Sequence, residues 1–174
     1  MTPFEIADAL RACLVTAFED DDGVPAEICH RPGAEAPLSL GMAQDECCSG
    51  LAWVRIAGID PVIDPIDAQS PDFNRCDAAG RRITLELGVA RCNPYGDQSR
   101  GPSCETWTEL ALRMDLDAAA MRAAVCCFRD GAEAVGPGQE ISDVRPGAWE
   151  PLESSGLCAG GIMTVVVWTD CGSC

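Results

Sequence analysis

Residues 83–90 read Ile83-Thr84-Leu85-Glu86-Leu87-Gly88-Val89-Ala90, and their alternation decides the fold. Successive side chains of a strand point to opposite faces, so Ile83, Leu85, Leu87 and Val89 are expected to face inward and Thr84, Glu86, Gly88 and Ala90 outward. One face is core. Upstream, the vicinal pair Cys47-Cys48 runs through Ser49-Gly50 into a second strand, Leu51 to Ile59. Its residues are apolar on both faces, as when neighbours cover both sides. Downstream, Cys158-Ala159-Gly160-Gly161 leads into a β-branched last strand ending at Trp168. A short strand, Ala26 to His30, is stopped by Arg31-Pro32-Gly33.

Two helices flank these strands. At the N-terminus Thr2-Pro3-Phe4-Glu5 carries a capping box with proline at the first helical position, and Ile6, Leu10, Cys13, Leu14 and Ala17 follow on one face. A second capping box, Thr106 to Glu109, is expected to start the longest helix. Its stripe of Leu110, Met114, Ala118, Met121, Val125 and Phe128 runs toward a stop at Gly131. Asp115 and Asp117 are candidate breaks within it. Extended loops are expected at about 31–47, 60–80, 93–105 and 131–148. The whole predicts a single α+β domain over residues 1–174: a mostly antiparallel sheet of about four strands, with both helices packed on one face.

The other face is then solvated or covered by another molecule. Two-faced strands favour burial against neighbouring subunits. Residues 60–80 hold Pro61, Pro65 and Pro71 among five aspartates with no sustained period, so an extended arm is expected there. Its candidate contacts with a neighbouring subunit are Pro61, Val62, Ile63, Pro65, Ile66 and Phe73. An arm meeting a different patch on the next subunit generates a ring when the rotation closes.

The chain of 174 residues carries 28 acidic and 12 basic residues, a formal net charge of −16, and every basic one is arginine. The absence of lysine points to a GC-rich coding genome. Such a balance argues against gripping phosphate backbones, which needs clustered Lys or Arg, and only Arg81-Arg82 stand adjacent. It suits a wall that DNA passes without sticking, and it also suits simple solubility. Glu19, Asp20, Asp21 and Asp22 oppose the dipole at the first helix's end, so helix stability does not account for them. These four, with Asp60, Asp64 and Asp67, are the candidate rim of a lumen.

The first residues lack the basic segment of a secretory signal, and Glu5, Asp8 and Arg11 interrupt the apolar run. Synthesis and retention in a cytoplasm are expected, where thiols begin reduced. Most of the 12 cysteines then read as small core hydrophobes, with disulfide connectivity undetermined by sequence.

Competing chemistry is poorly supported. Cys171-Gly172-Ser173-Cys174 imitates a redox motif but lacks the following helix that lowers a thiol pKa. Cys29-His30 with Cys47-Cys48 makes a four-ligand zinc set only from adjacent residues, which chelate one tetrahedral ion badly. His30, the only histidine, has no evident serine or cysteine partner and reads as a strand-end residue. Asp20 with Asp22, or Asp60 with Asp64, lacks the closing glutamate of a calcium loop. Trp53, Trp107, Trp149 and Trp168 read as core or edge packing, with interface anchoring as the alternative. No catalytic residue, cofactor or metal is expected.

The blocks Cys47-Cys48-Ser49-Gly50-Leu51-Ala52-Trp53-Val54-Arg55, Glu86-Leu87-Gly88-Val89-Ala90-Arg91-Cys92-Asn93-Pro94, Cys126-Cys127, Trp149-Glu150-Pro151 and Cys158-Ala159-Gly160-Gly161 occur in that order. Together they resemble the tail terminator proteins of long-tailed actinobacteriophages over nearly the whole chain. The Cys171 to Cys174 tail has no place in that pattern. The resemblance implies a structural virion protein of the head-to-tail connector, a homohexameric ring at the tail-neck junction assembled in the bacterial cytoplasm. Its partners would be other copies of itself, the major tail tube protein, the head-side stopper or connector, and double-stranded DNA crossing the lumen without specific binding. No membrane is implied, and no active site. A neck stopper or adaptor is the alternative in the same class; a small zinc-binding or redox protein is the alternative in another.

Overall fold

The computed structural model describes residues 1–19, 23–33, 49–62, 80–94, 101–134, 141–155 and 158–170. Helix α1 (Pro3–Glu19) is followed by β1 (Glu27–His30), β2 (Leu51–Val62), β3 (Gly80–Cys92), α2 (Cys104–Ala134), β4 (Ile141–Ser155) and β5 (Cys158–Asp170). The five strands form one sheet in the order β1-β2-β3-β5-β4. Only β1 and β2 run parallel. The fold is α+β and mostly antiparallel, as the order of helices and strands in the sequence predicts.

Ile83, Leu85, Leu87 and Val89 pack with Val165 and Val167 of β5, with Ile6, Leu10, Leu14 and Phe18 of α1, and with Met121, Val125 and Phe128 of α2. Burying each such side chain stabilises the fold by about 1.5–3 kcal/mol. The capping box at α1 forms as its sequence predicts: Thr2 Oγ1 accepts the Glu5 amide at 3.2 Å, and Glu5 Oε2 accepts the Thr2 amide at 2.6 Å.

Four features depart from the sequence reading. First, β4 occupies part of the expected loop at 131–148. It holds Pro146, Gly147 and Pro151, pairs only with β5, and shifts register three times. An edge strand tolerates prolines and irregularities that a central one does not, which hides it from pattern reading. Second, β2 continues beyond Ile59 through Pro61 and Val62, which pair with Arg81 and Gly80 of β3. β1 reaches only as far as Val54, so Pro61 meets no ladder partner from β1.

Third, α2 starts at Cys104 rather than Thr106. The cap is Ser103, whose Oγ accepts the Thr106 amide at 3.2 Å. The helix also continues past Gly131 to Ala134, with open space around that glycine. Fourth, Asp117 does not break the helix. It is buried, and its carboxylate accepts hydrogen bonds from Arg91 of β3 at 2.6 and 3.0 Å and from Arg113 one turn earlier at 3.0 Å. A carboxylate held by two guanidiniums ties the helix to the sheet instead of competing for its backbone.

The two helices are also joined covalently. Cys13 of α1 and Cys127 of α2 form a disulfide with Cα atoms 5.8 Å apart, and Cys92 and Cys158 are each disulfide-bonded as well. The expectation of reduced core thiols fails at these positions. Helical spacing placed Cys13 on the packed face of α1, but only the meeting of two helices distant in sequence brings it to Cys127. Cys29, Cys104 and Cys126 are free thiols.

Candidate functional site

The sheet's far face is not simply wet. Near β1 it is sealed by a cluster of Leu51, Trp53, Ala90 and Cys158. The Trp53 indole lies across Gly88, where any Cβ would collide with the ring, which explains a glycine in the middle of a central strand. The Trp53 Nε1–H donates to Glu86 Oε1 at 3.2 Å. Arg55 grips the same carboxylate bidentately, Nε to Oε1 at 2.7 Å and the second guanidinium nitrogen to Oε2 at 2.6 Å, and donates a third hydrogen bond to the Gly33 carbonyl at 2.8 Å. The Glu86 hydrogen bond holds the Arg55 pKa above its ordinary value. Glu86, read from its alternation as an outward residue, is in fact buried. Arg55 and Glu86 are 31 residues apart in sequence, and no local pattern pairs them.

Beside this seal lies a hollow of about 460 Å³ between the start of α1, the end of β1 and the middle of β2. Phe4, Val54 and Ile56 give it apolar walls, and His30, Arg31 and Arg55 give it cationic or protonatable groups. His30 is the last residue of β1, as its strand-end reading anticipates. Its Nε2 contacts Asp8 Oδ1 at 3.1 Å, and its ring packs on Phe4 at 4.8 Å between centroids. This hydrogen bond, with one from Arg11, holds the Asp8 carboxyl below its ordinary pKa. The Arg31 Nε is buried and has no hydrogen-bond partner among the described residues. A buried unpaired donor is costly, so this hollow suits an acceptor brought by another molecule.

The hollow opens onto an unpaired sheet edge. Among the described residues, β1 covers β2 only from Leu51 to Val54, and no strand follows it along Arg55 to Val62 on that side. Ile59 is exposed there. An edge of this kind is a template for an added strand.

Of the candidate rim, Glu19 is exposed at the last position of α1, and Asp60 is exposed on β2, where Arg82 pairs with it at 3.0 Å. Because α1 ends just before β1 begins, and Asp60 lies six positions past the last β1 partner, Glu19 and Asp60 stand toward opposite ends of the sheet. Asp20, Asp21, Asp22, Asp64 and Asp67 lie outside the described residues. So do Ile63, Pro65, Ile66 and Phe73 of the candidate arm, while Pro61 and Val62 belong to β2. Cys47, Cys48 and the Cys171 to Cys174 tail also lie outside them.

Among the described residues, no group of three or more His, Cys, Asp or Glu side chains is placed to hold a metal ion. None of the described helices is long and apolar enough to cross a membrane. No known protein family and no curated protein matches the sequence.

Proposed function

We propose that this protein is a structural connector of a phage virion, a tail terminator whose subunits close into a homohexameric ring between the tail tube and the head-side connector. The observation that carries this reading is the β2 edge from Arg55 to Val62, which no described strand covers, with the Arg31 and His30 hollow at its start. It supplies what a heterologous ring needs on the receiving side: backbone groups to pair, and the cationic Arg31 to attract. The donating side is the Asp-rich segment that follows Val62. With Asp64, Asp67, Asp72 and Asp77 it carries the charge opposite to that of the hollow. In such a ring the strong acidity of the chain lets DNA pass the lumen without adhering. The resemblance of the sequence blocks to actinobacteriophage tail terminators supports the same reading from the sequence side.

The test is to delete residues 63–74 and examine the purified protein by negative-stain electron microscopy and sedimentation. Loss of rings from a still-folded subunit is expected. Immunogold labelling of virions then places the protein, and a label at the tail-neck junction is expected. Tails of normal length joined to heads, in a host infected by phage lacking this gene, would overturn the reading.

A further inference from the structure

Helix α2 has a second apolar face that no described residue of the chain covers. The inward face holds Ala118, Met121, Val125 and Phe128, all buried. On the outward side Leu112 is 61% and Leu116 43% exposed, and Ala119, Ala123 and Cys126 continue the line, all exposed. The steps along this line alternate between four and three residues, the spacing of a coiled-coil seam. Leucines occupy its first half and small residues its second. Asp115 and Arg122, seven positions apart, stand on one flank of the seam. Both are exposed, and among the described residues neither makes an ion pair or a side-chain hydrogen bond. Cys127, bonded to α1, lies on the opposite flank.

We propose that two copies of this chain pair through this face with their α2 helices antiparallel. The order of residue sizes fixes the direction. In an antiparallel seam Leu112 meets Ala123 of the second copy and Leu116 meets its Ala119, so each large side chain fills the space left by a small one. The charges agree. The same register brings Asp115 against Arg122 of the second copy, and the two-fold axis repeats the pair. A parallel pairing stacks leucine on leucine and alanine on alanine, and it sets Asp115 beside Ala120 and Arg122 beside Cys127, leaving both charges unpartnered. The seam is thus self-complementary in one direction only, which is why the occupant is a second copy rather than a different protein. This contact is isologous and involves neither the β2 edge nor the segment after Val62, so it stands independently of the ring.

The experiment is sedimentation of the full chain over a range of concentrations. A reversible dimer is expected. Leu116→Glu should weaken it about a hundredfold, with helix content and melting temperature unchanged because the site is exposed. Asp115→Arg and Arg122→Asp should each weaken it about tenfold, and the double variant D115R/R122D should return it to wild-type strength by restoring the pair in reverse. A monomer at every concentration would overturn the proposal. So would a dimer untouched by Leu116→Glu, or a double variant no tighter than the single ones. A hexameric ring that survives Leu116→Glu without any two-fold association removes the helix seam and leaves the ring reading standing.

Discussion

The two faces of the sheet are built by different physics. Against the helices every central position is aliphatic: Ile83, Leu85, Leu87 and Val89 on β3 meet Val165 and Val167 on β5. On the far face β3 carries Glu86 and Gly88, and β2 adds Trp53 and Arg55, which donate three hydrogen bonds to the Glu86 carboxylate. The helix face is a hydrophobic core, indifferent to which neighbour fills the space so long as volume and pattern hold. Beside its apolar cluster the far face holds a polar network at Glu86 that works only when every member is present, because a half-satisfied buried network costs more than an apolar one. What repeats along a strand can be read from one segment. What depends on partners distant in sequence cannot.

The sharpest way to break the comparison is a charge on the helix face. Val165→Asp should unfold the protein, since burying an unpaired carboxylate costs several kcal/mol against a total stability of about 5–15 kcal/mol. Loss of the cooperative thermal transition checks it. On the far face Glu86→Ala leaves the Arg55 guanidinium buried without its carboxylate. A loss of about 3–5 kcal/mol is expected in chemical denaturation. The double replacement Arg55→Met with Glu86→Leu should recover most of that loss, which no replacement of Arg55 would do if Glu86 acted alone.

A smaller effect is expected from the bond joining the two helices. Replacing Cys13 and Cys127 by serine should destabilise the domain by about 2–4 kcal/mol, because the bond closes a long segment of the unfolded chain. The fold should survive, since the aliphatic core of α1 and α2 is untouched. Melting temperatures of the oxidised protein and of the double variant, with and without reductant, measure this directly.

The smallest effect sharpens the comparison at the rim of the hollow. Asp8 and Glu5 both hold their protons less tightly than ordinary carboxyls, Asp8 through His30 and then Arg11, Glu5 through Thr2. Their contribution is therefore present above the unfolded pKa, near pH 4, and is lost as pH falls through the lower folded values. Asp8→Asn should lower the melting temperature slightly at neutral pH, and the difference from wild type should vanish in acid. A difference that grows in acid would show that the His30 contact does not hold the Asp8 carboxylate.

Some of the fold was legible because it is local. The period-two pattern of residues 83–90 set β3 and its core face, and Thr2 with Glu5 set the start of α1. The stripe from Ala118 to Phe128 set the packed half of α2. Of the candidate site less was legible. His30 was placed at a strand end, but its Asp8 and Phe4 neighbours come from a helix 22 or more residues away in sequence. The arm was read as starting at Asp60, while the structure carries the strand on through Val62. Pro61 looks like the start of an irregular stretch until one sees that no described strand lies beside it on that edge of β2.

The sequence by itself determined the fold class, the two helices and the central strands, because periodicity and caps act within one segment and need no partner to be read. Only the tertiary structure decided that β4 is a strand, that Asp117 joins the helix to the sheet, that Cys13 meets Cys127, and that Arg55 and Trp53 share Glu86. Each of these rests on two elements brought together across the core. A buried charge, a thiol or a proline has no fixed meaning until its neighbours in space supply the opposite charge, the second sulfur or the open edge.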